Sequence, residues 1–274
     1  MEASATLPSG LIVLDEVAST NQELLDRARA GAPHGTALRA RVQRAGRGRR
    51  THTWASPDGG LYLSILVRRP LPAAVLPGLP VVCALGVAKA LEAVGVRNLR
   101  LKWPNDIVLP QGKLGGILVE ARSASSETVA VCGIGVNIHM PDAEARMPGA
   151  LPITCLDSCL GTGHGVTPDA LAVLIQARVL AIAKRWEHAV ADAQGRATPL
   201  TGIHEAYHER LAYLGEQVRA VAPDGTCAAL GTFSGVDPWG RALIASKSGE
   251  TSAHDAAVVS LRPQQKGVIT MQSE

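Results

Sequence analysis

A loop rich in arginine and glycine is the first feature of this sequence with a clear chemical use. The stretch QRAGRGRRTHTW, residues 43–54, follows closely on two further arginines, so that six arginines fall within twelve positions. The arginines are Arg39, Arg41, Arg44, Arg47, Arg49 and Arg50, and the glycines among them are Gly46 and Gly48. Guanidinium groups match phosphate oxygens two at a time, and glycine lets a backbone approach a ligand closely. Taken alone, the loop fits a clamp for a small charged ligand and a mobile, solvated surface loop about equally.

A second group of charged residues lies in the stretch LKWPNDIVLPQGKLGGILVE. Lys102 ends an apolar run, and the turn after it offers the amide of Asn105 and the carboxylate of Asp106, which could hold a base edge or a magnesium ion. Lys113 precedes the glycine pair at 115–116, where a strand can pass close to a ligand. Each piece has a simpler explanation, since Asn-Asp turns are common and a single lysine is usually solvated. Together the pieces favour a phosphate site.

Asn137 follows a buried-looking strand in GIGVNIHM, after Gly133 and Gly135, and could contact a ligand or cap a turn. No Ser-His-Asp set and no His-Glu metal motif stands out in the sequence. We therefore expect no protein nucleophile and no structural metal. The chemistry would then rest on positioning and charge neutralisation.

Composition predicts a soluble globular protein. Hydrophobic residues make up 46% and charged residues 19% of the 274 residues, and a formal charge of +3 is too small for general adhesion to nucleic acid. Five scattered cysteines, an odd number, favour a reduced intracellular protein without disulfides. The N-terminus lacks a basic segment followed by an apolar one, and we expect no stretch of about 18 apolar residues that could cross a membrane. A cytoplasmic protein with no membrane association is predicted.

Hydrophobic periodicity and turn residues predict the elements that position these groups. Strands are predicted at residues 11–17, 35–42, 60–69, 98–103, 106–109, 116–122, 129–138, 217–223, 228–236, 242–246 and 256–261. One helix is predicted from a capping box at Thr20 and Glu23 to a C-terminal cap at Gly31. Further helices are predicted at residues 79–94, 167–190 and 200–214.

From Gly215 onward the sequence consists of short strand-like stretches separated by turns, and this change divides the chain into two parts. Before Met140 neighbouring strands are hairpin-like, which favours an α/β (α+β) domain over residues 1–214 with a mixed, largely antiparallel sheet flanked by helices. In residues 215–265 short strands are broken by Pro-Asp-Gly and Asp-Pro-Trp-Gly turns, which predicts a small β-barrel. Residues 266–274 are predicted to be a frayed tail.

Six motifs occur in the order and spacing of one family: STNQELL, QRAGRGRR followed by Trp, YLS, KWPNDI, KLGGILVE and GIGVNI. From Ser19 to Arg262 the chain resembles the biotin–protein ligases, or biotin–[acetyl-CoA-carboxylase] ligases. The resemblance implies a catalytic domain similar to those of class II aminoacyl-tRNA synthetases and lipoate ligases, followed by an SH3-like barrel. It also implies biotin and ATP as substrates, with Mg²⁺. Biotin would attack the α-phosphate to give biotinyl-5′-AMP and pyrophosphate, and a lysine of a biotin carboxyl carrier domain would take the biotinyl group.

The resemblance also implies roles for individual residues. Charge at the reacting groups would come from Arg47, Arg49, Lys102 and Lys113. Biotin would be bound by Ser19, Thr20, Asn21, Gln43, Gly46, Arg47, Gly48, Lys113, Gly115 and Gly116. ATP would be bound by Arg49, Arg50, Trp54, Lys102, Asn105, Asn137 and Met140, and magnesium by Asp106. The arginine loop would be a lid, mobile when empty, that orders over biotinyl-AMP and excludes water.

Two departures from the family pattern bear on these expectations. Only eighteen residues precede Ser19, too few for the winged-helix domain that some members carry, so we expect a ligase that does not bind DNA. Members often have a glycine and an acidic residue where this chain has Ala256 and Ala257, so the barrel's contact with the nucleotide is not implied here, although Arg262 could still reach toward the active site. A lipoate or octanoate ligase is the nearest alternative, and a nucleic-acid-binding protein is the alternative from another class. The acceptor carrier and a homodimer stay open.

Overall fold

The computed structural model describes residues 4–6, 10–50, 52–123, 127–140 and 151–264. The strands are β1 (Ser4–Thr6), β2 (Leu11–Val17), β3 (Ala37–Gln43), β4 (Leu61–Arg69), β5 (Arg100–Lys102), β6 (Asp106–Leu109), β7 (Gly112–Ser123), β8 (Thr128–Val136), β9 (Gln217–Val221), β10 (Cys227–Val236), β11 (Ala242–Ala245), β12 (Thr251–His254) and β13 (Ser260–Pro263). The helices are α1 (Thr20–Arg29), α2 (Leu79–Ala93), α3 (Leu156–Leu160), α4 (Pro168–Asp192) and α5 (His204–His208), with a 3₁₀ helix at Ala73–Gly78. The predicted tail, 266–274, lies outside the described residues.

Strands β1 to β8 form one mixed sheet in the order β1-β2-β3-β4-β8-β7-β6-β5. Its neighbouring strands are antiparallel except for β2 and β3, which run parallel. Parallel neighbours need a crossover connection, and helix α1 supplies it. The prediction of a mixed, largely antiparallel sheet flanked by helices is confirmed.

The two faces of this sheet are covered unequally. Side chains alternate along a strand, so that Leu63 and Ile65 of β4 face a large core under α2 and α4. Leu66 faces the opposite side, where it packs with Leu24 of α1 and Leu38 of β3 in a smaller cluster. Helix α1 covers only part of that side. Beyond its N-terminus the sheet face forms a cavity.

The segment Ala73–Ala93 is long and apolar enough to cross a membrane by length and composition, with a mean hydropathy of 1.9. The sequence-based expectation that no such stretch exists was therefore wrong. In the structure 72% of the segment's most apolar window is buried, and α2 packs against α4, β7 and β8. A helix that is apolar on all sides and enclosed by protein is a core helix.

Strands β9 to β13 form a second, antiparallel sheet in the order β12-β11-β10-β9-β13. Its residues Val218, Phe233 and Leu261 belong to the same continuous core as the first sheet. The indole Nε1 of Trp103 donates a 2.9 Å hydrogen bond to the carbonyl of Gly240 in the turn between β10 and β11. Apolar packing and this hydrogen bond together bring β9 and β13 to the cavity.

The predicted capping of helix α1 was wrong, because a longer-range contact was available to Thr20. Ser19, not Thr20, is the N-cap of α1, and no side-chain capping bond forms there. The Thr20 hydroxyl donates instead to Gln43, at 3.0 Å.

In the second sheet the strand predicted at 256–261 begins only at Ser260, and β12 before it was not predicted.

The helix predicted at 200–214 is reduced to the short α5. The chain turns at Gly202 and Tyr213, whose φ angles are +73° and +64°. Between these turns the amide of Ala212 donates to the carbonyl of Leu101 at 3.0 Å, so the segment covers the β5 edge of the first sheet. An open strand edge leaves backbone N–H and C=O groups unpaired. Pairing these groups of β5 with the segment stabilises the fold more than a longer helix over residues 200–214 would.

Candidate active site

A cavity of about 710 Å³ opens where the α1 face of the first sheet meets the second sheet. Its walls come from the N-terminus of α1, the arginine loop, the β5–β6 turn, and strands β7, β8, β9 and β13. Fifteen of the predicted site residues line it: Ser19, Thr20, Asn21, Gln43, Arg47, Gly48, Arg49, Arg50, Trp54, Lys102, Asn105, Asp106, Lys113, Gly116 and Asn137. Residues more than a hundred positions apart thus meet in one place.

Three predicted site residues do not line the cavity. Met140 is 53% exposed and lies outside it. Gly46 and Gly115 lie beside it and serve packing, since an added Cβ would be 2.3 Å from the Trp54 carbonyl oxygen and 2.5 Å from the Gly135 carbonyl oxygen respectively. Neither distance leaves room for a side chain.

Two glycines of β8 form the floor of the cavity. Gly133 pairs with Ser64 of β4, and an added Cβ there would be 2.4 Å from Oδ1 of Asn21. At Gly135 an added Cβ would be 2.7 Å from Nε1 of Trp54. The missing side chains let an amide and an indole lie directly on the central strand of the sheet.

One end of the cavity is built from neutral polar groups joined by hydrogen bonds. The backbone amide and the hydroxyl of Thr20 donate to Oε1 of Gln43 at 2.9 and 3.0 Å, and Nε2 of Gln43 donates to the Ser56 hydroxyl at 2.8 Å. The buried Ser64 hydroxyl lies 2.8 Å from the Thr20 oxygen and 2.6 Å from Oδ1 of Asn21. Each group orients its neighbour, so this end is preorganised to bind a small polar group.

The other end of the cavity concentrates positive charge around one carboxylate. Asp106 accepts from the Lys102 ammonium at 2.9 Å and from the Lys113 ammonium at 2.6 Å. Burial alone would raise the pKa of the Asp106 carboxyl, but the two lysines hold this pKa well below its usual range. The Lys113 nitrogen also lies 5.1 Å from the centre of the Trp54 ring, within cation–π distance. Two cations and one anion leave this end net positive.

The six clustered arginines separate in the fold. Arg39, Arg41 and Arg44 do not line the cavity and pair with Asp169, Asp15 and Glu16 respectively. The other three, Arg47, Arg49 and Arg50, line the cavity. Arg47 also pairs with an acidic side chain, that of Glu120. The cluster is therefore divided by the fold: strand β3 carries Arg39 and Arg41 away from the cavity, and Arg39 is buried there.

Arg49 and Arg50 tie the arginine loop to the second sheet. Arg49 donates to the carbonyl of Ala256 and lies 3.5 Å from Oδ1 of Asn105, and Arg50 donates to the carbonyl of Ala257 at 3.3 Å. Burial, with the nearby charge of Arg50, lowers the pKa of the Arg49 guanidinium. The acceptors are backbone carbonyls, so this contact does not depend on which side chains stand at positions 256 and 257.

Some cavity residues carried no assigned role in the sequence. Tyr62 lines the wall, and its hydroxyl donates to the carbonyl of Pro57 at 2.7 Å. Its place on the cavity face follows from strand alternation and could have been found. Arg219 of β9 and Ser260, Leu261 and Pro263 of β13 had no local signal, because their approach depends on how the two sheets pack. Arg262, which was expected to be able to reach the site, lines the cavity.

Comparison with known proteins places this architecture in a family. The model of the Biotin/lipoate A/B protein ligase family matches residues 13–137. The chain is 38% identical over 236 residues to a biotin–[acetyl-CoA-carboxylase] ligase from Paracoccus denitrificans, an alignment covering 84% of this chain and 92% of that protein. It is similar to a biotin protein ligase from Aquifex aeolicus in complex with biotin and ATP, with a TM-score of 0.75, 27% identity and coverage of 93% of this chain and 99% of that one. A biotin protein ligase from Leishmania major in complex with biotinyl-5-AMP matches with a TM-score of 0.58, 25% identity and coverage of 91% and 100%.

A relative of this identity over most of both chains establishes the family. The chain belongs to the biotin–protein ligases of the biotin/lipoate A/B protein ligase family. The resemblance inferred from the motifs is confirmed.

We predict that Asp106→Asn destabilises the fold by about 3 kcal/mol at pH 7, because it leaves two neighbouring lysines without their counter-charge. The depressed pKa means that the wild-type stabilisation is complete above the ordinary aspartate pKa of about 3.9 and is lost as the pH falls further through the folded-state value. Urea unfolding with EDTA at several pH values measures this difference. Asp26→Asn, which removes an exposed ion pair with Arg29, is the control and should cost under about 0.5 kcal/mol. Equal effects of the two variants would contradict the prediction.

We predict that Gly133→Ala costs about 1–3 kcal/mol of unfolding free energy, because its methyl group would displace the Asn21 amide. Asn21→Ala removes the clashing atoms. The double variant should therefore be more stable than the sum of the two single effects, by about 1 kcal/mol. Additive unfolding free energies would show that the cavity floor tolerates a side chain.

Proposed function

We propose that this protein joins biotin to ATP as biotinyl-5′-AMP and then transfers the biotinyl group to a lysine of a biotin carboxyl carrier domain. The observation that carries the proposal is a single cavity with two unlike ends, one neutral and hydrogen-bonding, the other cationic. Biotin presents a neutral ureido ring and a carboxylate tail, and the carboxylate must meet an anionic triphosphate. Such a reaction needs positioning and charge neutralisation, which these two ends supply.

We assign the ureido ring to the neutral end. Thr20 and Gln43 are already fixed against each other, and the Ser19 hydroxyl beside them makes no capping bond. The absence of a side chain at Gly133 lets the Asn21 amide lie on the floor of this end. A site that hydrogen-bonds a buried polar ring discriminates strongly, because an analogue without those groups leaves protein groups unpaired.

We assign the carboxylate and the α-phosphate to the cationic end. A biotin carboxylate oxygen would attack the α-phosphorus, and the bond from that phosphorus to the bridging oxygen would break to release pyrophosphate. Lys113, with Lys102 and Arg49 behind it, would offset the repulsion between the two anions. In the second step the acceptor amine would attack the acyl carbon, and AMP would leave with the electrons of the acyl–oxygen bond. No protein nucleophile is needed.

We place Trp54 at the junction of the two ends, because its ring lies against Gly116 and Gly135 and under the Lys113 ammonium. This is nearer the proposed biotin tail than the adenine. Asn137 remains a candidate for the nucleotide wall, where its amide donates to the carbonyl of Thr154 at 3.0 Å.

The magnesium that accompanies ATP stays a prediction from the resemblance. Both oxygens of Asp106 are engaged by lysine. Within the part of the chain that the structure describes, no group of three or more His, Cys, Asp or Glu side chains could hold a metal ion. The residues present do not form a magnesium cage of their own, so we assign the ion no protein ligand.

We further propose a cytoplasmic location, supported by five free cysteines. An acceptor of the acetyl-CoA carboxylase type is supported by the name of the Paracoccus relative. Absence of DNA binding, a homodimer and mobility of the empty arginine loop stay predictions.

Lipoate is the competing substrate, since the matching family model covers both kinds of ligase. The test is pyrophosphate release from purified protein with ATP and magnesium, adding biotin, lipoate or neither, with the acyl-adenylate identified by mass spectrometry. We expect release with biotin and retention of biotinyl-AMP on the protein. Pyrophosphate release with lipoate but not with biotin would show that the substrate is assigned wrongly. Pyrophosphate release when neither acid is added would show that the reaction is assigned wrongly.

We predict that Lys113→Ala slows adenylate formation on the order of 100-fold while changing biotin binding much less, because its charge acts mainly at the reacting anions. Single-turnover pyrophosphate release and calorimetric titration of biotin separate the two effects. Lys184→Ala, which removes an exposed lysine from α4, is the matched control and should change neither. Unchanged pyrophosphate release in Lys113→Ala would exclude the assigned role.

A further inference from the structure

Glu120 of β7 joins two parts of the site without lining the cavity. Its Oε2 oxygen accepts from Nδ2 of Asn21 at 2.8 Å and from a terminal nitrogen of Arg47 at 3.0 Å. The Glu120 side chain is 30% exposed and that of Arg47 is 41% exposed, so the pair lies at the rim. One carboxylate oxygen therefore connects the start of helix α1 to the arginine loop.

The strand register explains how Asn21 reaches this carboxylate. Glu120 pairs with Val131 of β8, and the next row on the same face pairs Leu118 with Gly133. Because Gly133 has no side chain, the Asn21 amide lies across β8 and reaches β7. There it also approaches the carbonyl of Leu118, at 3.3 Å.

These bonds close a circuit that begins and ends at the arginine loop. From Gln43, at the loop's start, the circuit runs through Thr20, Ser64 and Asn21 to Glu120. From Glu120 it returns to the loop at Arg47. The first part of the loop, residues 43–47, is thus held by the Gln43 side chain and again four residues later by the Arg47 side chain.

The circuit also separates the three cavity arginines by role. Arg47 faces a carboxylate, which offsets its charge. Arg49 and Arg50 donate to backbone carbonyls instead, although the Asp106 and Asp255 carboxylates lie near enough to Arg49 to act on its pKa. Arg47 is therefore poorly placed to add net charge at the phosphates, contrary to the role implied by the resemblance.

We propose that Glu120 is a positioning residue. By binding Arg47 it holds residues 43–47, the first part of the arginine loop, over the neutral end of the cavity, and so helps to retain the acyl-adenylate. The inference rests on the proposed function for the identity of the retained molecule, but the seating of the loop does not. Arg47 acts as the loop's anchor.

The first experiment needs no activity. Limited trypsin digestion of the substrate-free protein, followed by mass spectrometry, measures cleavage after Arg47 and Arg49. Glu120→Ala should speed this cleavage about fivefold, the effect of losing one rim ion pair. Glu127→Ala, which removes the partner of Arg68 on the same sheet at 2.8 Å, is the matched control and should leave loop cleavage unchanged. Equal cleavage in both variants and the wild type would overturn the seating of the loop.

The second experiment is a double-mutant cycle on retention of the adenylate. Without a carrier, steady pyrophosphate release reports escape of biotinyl-AMP, because the site must empty before it turns over again. Glu120→Ala and Arg47→Ala should each raise this escape about fivefold, and the double variant should raise it no further. Glu120→Gln keeps an acceptor for Asn21 but loses the charge facing Arg47, and should fall between Glu120→Ala and the wild type.

The rate of the first turnover distinguishes loss of adenylate retention from a general disturbance of the active site. In Glu120→Ala the rate of the first pyrophosphate burst at saturating biotin should stay within about twofold of the wild type, while the KM for biotin rises. A slowed burst, or escape effects that multiply in the double variant, would overturn the proposal. Absence of any biotin-dependent burst from the wild type would instead overturn the proposed function and leave the trypsin result standing.

Discussion

The site depends on the carboxylate of Asp106, because it allows two ammonium groups to stay close together at one end of the cavity. Strand β6 lies between β5 and β7 in the sheet. Asp106 opens β6 directly opposite Lys102 of β5, and Lys113 of β7 reaches its other oxygen. Without a fixed anion between them the lysines would repel each other and turn toward solvent. The sheet order therefore creates a cationic end that exists before any ligand arrives.

The second constraint is space on the central strand. Side chains at Gly133 and Gly135 would overlap the amide of Asn21 and the indole of Trp54. Their absence provides the floor of the cavity and the path by which α1 contacts Glu120. The neutral end thus depends on the absence of side chains at Gly133 and Gly135 of β8. The cationic end depends on the charged residues that β5, β6 and β7 carry.

The second sheet completes the enclosure through its backbone. Its attachment through Trp103 and a shared apolar core brings the carbonyls of Ala256 and Ala257 within reach of the arginine loop. The departure from the expected family pattern at these two positions therefore leaves the contact intact. A carbonyl is present whatever the side chain, so the docking of the loop survives the change.

Local sequence was enough to predict most strands and the long helices, because alternation, helical spacing and turn chemistry act over a few neighbouring residues. The roles of the site residues came instead from the motifs shared with the family. The same local rules failed where a distant partner competed, as when the Thr20 hydroxyl bonded Gln43 instead of capping its own helix. They could not show that Arg39 would pair with Asp169, 130 positions away. Nor could they show that Glu120 would hold Arg47. Those pairings depend on which strands become neighbours and which faces they present, and that information is spread over the whole chain.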